Sequence, residues 1–155
     1  MEAKNESGHQ KTAKPSEVRD VPWVAVRGPD GAAPYDPDSV GKWMVFVPTA
    51  ELDARWEPIR AATVEGRLGP AAKSATSYAS PLARSANEKV IIVYTRDWKD
   101  KADVQRVLTE LRGLGISWRL SYKTDAATHA RRYGQGVATY VSQPGSLDFD
   151  DRSGS

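Results

Sequence analysis

Several short segments of the chain are rich in Val, Ile and aromatic residues, a composition typical of buried β-strands. The clearest is KVIIVYT at residues 89–95. Stretches dense in Gly, Pro and Asp separate these segments and favour loops. We predict strands over residues 21–26, 42–47, 73–78, 89–95, 116–122 and 137–141.

The segment at residues 116–122 alternates apolar and polar side chains, as expected for a strand with one buried face. Its apolar set is Ile116, Trp118, Leu120 and Tyr122. Arg119, Ser121 and Lys123 fall on the other side. That polar side would face solvent or a ligand.

A helix is predicted over residues 101–114, where five apolar residues recur with a period near 3.6. Asp97 or Asp100 can cap its first turn, and Gly115 can end it. A second helix follows Thr49, its predicted N-cap, and Pro58 predicts a kink or restart in that helix.

A third, shorter helix is predicted from Thr124 or Asp125 to Gly134, which makes the order β-β-α-β-β-α-β-α-β. Strands that follow each other without a helix between them favour a mostly antiparallel sheet with helices on one face. The predicted class is therefore α+β.

The two ends of the sequence differ in composition from its middle. Residues 1–20 have almost no apolar side chains and are predicted to form a disordered tail. Residues 145–155 are acidic and polar, and we predict a flexible tail there. A single domain over residues 21–144 remains, long enough for one hydrophobic core.

Charge and composition restrict the classes of function. The net charge is +2, and removing the first twenty and last nine residues leaves 17 basic and 13 acidic residues. That surplus is compatible with an anionic ligand. The absence of Cys and the presence of only two His argue against a disulfide framework, a thiolate nucleophile or a zinc site. We expect a soluble cytoplasmic protein without cofactor, metal or membrane span.

One dense cluster of reactive side chains follows the alternating strand, in SYKTDAATHARRYG at residues 121–134. Arg offers phosphate a planar fork and Lys a mobile point charge, so a phosphate-binding site is one interpretation. The candidate phosphate ligands are Arg119, Lys123, Lys73, Arg131 and Arg132, with Lys73 joining if its strand is adjacent.

Simpler interpretations exist for the same cluster. Thr124 is most simply an N-cap, and Asp125 can complement the helix dipole. Asp125 can also form a surface pair with His129 or Arg132 at helical spacing. Two tryptophans, Trp56 and Trp118, lie on apolar stripes and favour the core, whereas Trp23, Trp43 and Trp98 fit either the core or a ligand surface.

Four segments carry a family resemblance: GKWMVFVP, GRLGPAAKSAT, VIIVYTRDWKDKADVQRVLTELRGLGI and YKTDAAT. Together they resemble the Bles-type family, named after a basophilic-leukaemia-expressed protein. The resemblance implies a fold like that of the cap-binding translation initiation factor 4E, a curved antiparallel sheet backed by helices. That factor holds its base between two Trp, and no motif places such a pair on this chain. Some bacterial relatives carry the label of a phosphothreonine lyase domain.

Three functions are therefore expected. The first is a binding domain that recognises a phosphorylated ligand, RNA or a nucleotide, on the polar sheet face. The second is a phosphothreonine lyase, in which Lys123 or Lys73 removes the α-proton and His129 protonates the leaving phosphate. Its phosphate would be held by Arg119, Arg131 or Arg132. The third is a protein-interaction adaptor that uses an apolar groove over the helix at residues 104–114.

Overall fold

The computed structural model describes residues 13–31, 33, 36–79, 87–126 and 138–153. Within these residues the elements are β1 (Trp23–Arg27), β2 (Gly41–Pro48), α1 (Leu52–Val64), β3 (Ala71–Ala75), β4 (Glu88–Thr95), α2 (Lys101–Gly113), β5 (Leu120–Thr124), β6 (Tyr140–Ser142) and β7 (Asp150–Asp151). Short 3₁₀ turns span Pro15–Glu17 and Thr49–Glu51.

The described strands form one sheet in the order β1-β3-β4-β2-β5-β6-β7, and every neighbouring pair is antiparallel. Both helices contribute to the same hydrophobic core as the sheet. The predicted α+β class, an antiparallel sheet with helices packed against it, is confirmed. We call the side of the sheet against α1 and α2 the helix-packed face, and the opposite side the second face.

Strand alternation fixes which side chains enter the core. In β2, Trp43 and Val45 are fully buried on the helix-packed face. The Trp43 indole donates a hydrogen bond from Nε1 to the carbonyl of Val104 in α2 at 3.1 Å, so even its polar atom is satisfied. The predicted apolar stripe of α2 is buried there at Val104, Val107, Leu108 and Leu111.

Helix α1 differs from its prediction at Pro58. The helix runs without interruption from Leu52 to Val64, with Pro58 inside it. A proline leaves the carbonyl four residues earlier without its helical partner, and here that residue is the exposed Ala54. Solvent can satisfy that carbonyl, which explains why the helix continues. Thr49 lies in the preceding 3₁₀ turn rather than at the N-cap. Neither that turn nor α1 begins with a side-chain cap.

The strand predicted over residues 116–122 begins only at Leu120. The cause is Arg112 in α2, whose Nη1 donates to the carbonyls of Ile116 at 2.9 Å and Trp118 at 2.6 Å. Those carbonyls point to a guanidinium instead of a neighbouring strand. The predicted strands over residues 73–78 and 137–141 are likewise shifted, to β3 and β6.

The packed part of the chain extends beyond both predicted domain boundaries. Val18 lies in the predicted N-terminal tail but is only 3% exposed. Ser16 donates hydrogen bonds to Asp53 in α1 from its backbone N at 3.0 Å and from its hydroxyl at 2.5 Å. The buried side chains of Pro15 and Val18, together with long-range hydrogen bonds to Asp53 and Ser77, therefore hold a segment whose average composition is polar.

The acidic segment after residue 144 also packs on the domain. The ring of Phe149 lies 5.9 Å from Trp43 and 4.5 Å from Tyr140. Asp151 in β7 pairs with Lys101 at the start of α2, with 2.5 Å between Oδ2 and Nζ. Ring packing of Phe149, the ion pair with Lys101 and the pairing of β7 with β6 therefore hold a segment that its polar composition predicted to be a flexible tail.

Candidate anion-binding site

Basic side chains from three strands lie on the second face. Lys42 stands opposite Lys123 across the β2–β5 ladder, and both alternate with buried core residues on their strands. Lys73 stands on β3 opposite Ile92 of β4, which in turn stands opposite Met44 of β2. The register therefore brings three lysines to one face of the sheet.

Lys42 is the most buried of these lysines, with 7% of its surface exposed. Its Nζ lies 2.9 Å from Oδ1 of Asp125, the residue directly after β5. The backbone N of Asp125 donates to the carbonyl of Val40 at 2.9 Å, which fixes the carboxylate beside β2. A buried ammonium needs such a partner, because removing a charge from water is costly.

Lys73 has a different environment, formed by aromatic rings. Its Nζ lies 4.1 Å from the centre of the Trp23 ring and 5.9 Å from that of Tyr94. Among the described residues it forms no hydrogen bond or ion pair. Burial lowers the pKa of Lys73, and repulsion from Lys42 lowers it further, while Asp125 acts in the opposite direction. The Trp23 ring also favours the charged ammonium.

A cleft of about 210 Å³ opens at the end of this face, beside Lys42 and Asp125. Arg96 donates hydrogen bonds to the carbonyls of Asp30 and Ala33 and so holds the loop at one edge of the cleft. The Arg27 side chain is exposed and forms no hydrogen bond or ion pair within the described part of the chain. The cleft is lined by Arg27, Gly31, Val40, Pro70, Ala71, Tyr94, Arg96 and Asp125.

The predicted site residues are only partly brought together. Lys73 and Lys123 share the second face, but their strands are not adjacent, because β4 and β2 lie between β3 and β5. Arg119 precedes β5 and is exposed in the loop that Arg112 organises, so it is not part of the strand. The other three candidates lie outside the described residues: His129, Arg131 and Arg132.

Sequence reasoning missed three cations of this site, Lys42, Arg27 and Arg96. Lys42 was assigned to an apolar strand, although the period of two in KWMVFV places it opposite Trp43 and therefore outside the core. The position of Arg27 beside the cleft depends on the pairing of β1 with β3, which no local pattern gives. Asp125 pairs with Lys42, and its predicted partners His129 and Arg132 lie outside the described residues.

The structure also separates the tryptophans. Trp43 and Trp56 are fully buried in the core, and Trp98 and Trp118 pack against its edge. Trp23 is the half-buried tryptophan on the second face, in contact with Lys73. It is therefore the one of the five that an anion bound near Lys73 would meet.

The fold and this face define an α+β protein with an open antiparallel sheet and a cationic second face. Among the described residues, this face and its cleft carry five cations, Arg27, Lys42, Lys73, Arg96 and Lys123, against the carboxylates of Asp125 and Glu88. Such an excess can hold an anion by charge and by hydrogen bonds. No helix in the described ranges has the length and apolar character needed to cross a membrane.

The family model described as basophilic leukemia-expressed protein Bles03 matches residues 38–130, more than half of the chain. The chain belongs to that family. The matched range includes Lys42, Lys73 and Lys123 and ends before β6, while Trp23 and Arg27 precede it.

Proposed function

We propose that the second face binds a phosphorylated ligand, with RNA or a nucleotide as the ligand class. The observation that carries this proposal is the convergence of lysines from β2, β3 and β5 on one sheet face. Lys42 forms an ion pair with Asp125, and Lys73 and Lys123 bring two further positive charges to the same face. Trp23 adds an aromatic surface beside Lys73.

The test is equilibrium binding of fluorescent nucleotides and short RNA at low salt, measured by fluorescence anisotropy. Lys123→Gln and Lys73→Gln each remove one charge while keeping a side chain of similar length. We expect each to weaken binding by about 3- to 10-fold, since a charge-assisted phosphate contact is lost. Arg119→Gln belongs in the same series and tests whether the loop before β5 contributes.

A matched control is Arg60→Gln on α1, which removes the same charge from the opposite side of the sheet. Circular dichroism of each variant shows whether the fold is retained. Lack of binding by the wild-type protein would contradict the proposal. So would charge-removing changes at Lys73 and Lys123 that act no more strongly than the control.

A second candidate is phosphothreonine lyase activity, and the observation that favours it is the environment of Lys73. An amine whose pKa is lowered by burial and by a neighbouring ammonium is a better general base at neutral pH than a solvated lysine. In this proposal Lys73, or Lys123, takes the α-proton of phosphothreonine. The electron pair forms the alkene as the C–O bond to phosphate breaks, and His129 protonates the departing phosphate.

Mass spectrometry of a phosphothreonine peptide incubated with the protein distinguishes this reaction from simple binding. A lyase yields a peptide that has lost phosphoric acid and gained an alkene, whereas a phosphatase would leave the threonine hydroxyl. Unchanged peptide, or full activity in both Lys73→Ala and Lys123→Ala, would count against the lyase.

The fold itself supports a further part of the proposal, a likeness to the cap-binding translation initiation factor 4E. The support is an open antiparallel sheet with both described helices on one face. Superposition on that factor tests it. The adaptor alternative depended on an apolar groove over α2, and the apolar side chains of that stripe from Val104 to Leu111 are buried in the core.

A further inference from the structure

The cations of the second face lie along a line that crosses the strands. Lys42 stands opposite both Tyr94 and Lys123 in the sheet register. At the other end Arg27 stands opposite Ala71, which is one residue before the Ala72–Val93 pair and therefore level with Tyr94. The line thus crosses β1, β3, β4, β2 and β5 in turn. With strands about 4.8 Å apart, it is roughly 19 Å long.

Independent contacts show that the side chains on this line share one surface. Arg27, Tyr94 and Asp125 line the same cleft. Asp125 pairs with Lys42, and the charges of both residues act on Lys73, which lies two residues along β3 from the line. Cations and the aromatic rings of Tyr94 and Trp23 therefore lie on one surface between β1 and β5.

A single phosphate group is too small to contact both ends of a line of this length. A strand of nucleic acid carries one phosphate per nucleotide, and its bases stack on aromatic rings without regard to sequence. Sites for single strands begin at about four nucleotides, a size that a surface of this length can accept. Trp23 and Tyr94 lie beside the cations, where unpaired bases would stack.

Resting on the proposed function, we infer that this line binds one single strand of nucleic acid laid across β1 to β5. One phosphate lies at Arg27 and another at Lys123, with Lys73 between them. Lys42 is buried and paired with Asp125, so it adds positive charge beneath the binding surface without contacting a phosphate. The ligand class is thereby narrowed from RNA or a nucleotide to a single strand with several phosphodiesters, and Arg27 becomes part of the site.

The test compares labelled oligo-uridylate and oligo-deoxythymidylate of about two to ten nucleotides with uridine monophosphate, by fluorescence anisotropy and competition. We expect affinity to rise with length up to about four to six nucleotides and then level off. With three phosphate contacts, the logarithm of the association constant should fall against the logarithm of salt concentration with a slope of about −2. RNA and DNA arms that both show this length dependence support a phosphate line.

Arg27→Gln is the critical variant, because the inference alone assigns a role to Arg27. It should reduce the size of the salt slope by about 0.7 and weaken oligonucleotide binding by about 3- to 10-fold. Uridine monophosphate binding should change less, and Arg60→Gln should change neither. Circular dichroism of the exposed Arg27 variant verifies its fold.

The outcomes separate the inference from the proposed function. If uridine monophosphate or a phosphothreonine peptide competes as well as the longest oligonucleotide, the inference of a single nucleic-acid strand is wrong, while the proposal of phosphate binding stands. An unchanged salt slope in Arg27→Gln would also contradict the inference of a bound nucleic-acid strand, and it would leave the proposed phosphate binding untouched. If neither mononucleotide, oligonucleotide nor phosphopeptide binds, both ideas fail.

Discussion

Arg112 in α2 is the side chain whose replacement should most directly loosen the two loops that flank β5 and β6. Its guanidinium donates five hydrogen bonds, to the carbonyls of Ile116, Trp118, Gln143 and Ser146 and to the hydroxyl of Ser142. It thereby connects the loop before β5 with the loop after β6. Burial lowers the pKa of Arg112, and all five of its acceptors are uncharged.

The expected loss in Arg112→Met follows from these bonds. Four of them lie in part-buried surroundings, and the bond to the Gln143 carbonyl is exposed. At about 1 kcal/mol net for each part-buried bond, the gross loss is about 4 kcal/mol. Water can reach some of the freed carbonyls, and the charge no longer has to be partly desolvated. We therefore expect a decrease of about 3 kcal/mol in the free energy of unfolding.

Urea denaturation followed by tryptophan fluorescence measures this loss. Arg112→Lys should fall between wild type and Arg112→Met, because one ammonium cannot reach both loops. The matched control is Arg60→Met, which removes an exposed helix pair with Glu57 and should cost less than about 1 kcal/mol. If Arg112→Met loses no more stability than this control, the guanidinium does not hold the two loops.

Three further predictions concern the core and the C-terminal segment. Gly41→Ala would place its Cβ 2.2 Å from the Tyr122 hydroxyl. We therefore expect the free energy of unfolding, measured by urea denaturation, to fall by about 2 kcal/mol. An unchanged midpoint would contradict this close approach. Phe149→Ala should also cost about 2 kcal/mol by losing two ring contacts of the core, whereas stability within about 0.5 kcal/mol of wild type would mean that the segment is not packed. Hydrogen bonds from Lys101 and then from Ser153 lower the pKa of Asp151 to about 2 from 3.8, so the stability they contribute is present above pH 3.8 and is lost as the pH falls towards 2. An NMR titration of the Asp151 carboxyl carbon checks this value, and a midpoint at 3.8 would show that the pairing is absent.

Elements with a strong local period were predicted well from the sequence. The helix over residues 101–114 and the strand over residues 89–95 correspond to α2 and β4 within one residue at each end. In both, the periodic apolar positions are also the buried ones. Asp100 accepts a hydrogen bond from the backbone N of Asp103, so the predicted cap is confirmed as well.

Features that depend on contacts distant in sequence were not predictable in this way. The start of β5 is decided by Arg112, and an alternating pattern cannot show that a guanidinium will take the carbonyls of Ile116 and Trp118. The packing of Phe149 depends on the space beside Trp43, which exists only once the sheet has formed. A polar average composition conceals a single apolar anchor of this kind.

In the candidate site, too, features set by a local pattern were predictable, and features set by contacts distant in sequence were not. Alternation along one strand was enough to place Lys123 outside the core, and the same rule applied to β2 would have included Lys42. The distance from Lys73 to Lys123 depends on strand order, and β4 and β2 separate their strands. Arg27 enters the site only through pairing of β1 with β3.

The most direct test of the central claim, that the second face is a phosphate-binding surface, is the affinity of a double variant for a short oligonucleotide. Lys73→Gln/Lys123→Gln removes one lysine of that face from β3 and one from β5, and leaves both members of the Lys42–Asp125 pair in place. At low salt we predict at least about a tenfold loss of affinity relative to both wild type and Arg60→Gln, with an unchanged circular dichroism spectrum. Affinity equal to that of Arg60→Gln would contradict the claim.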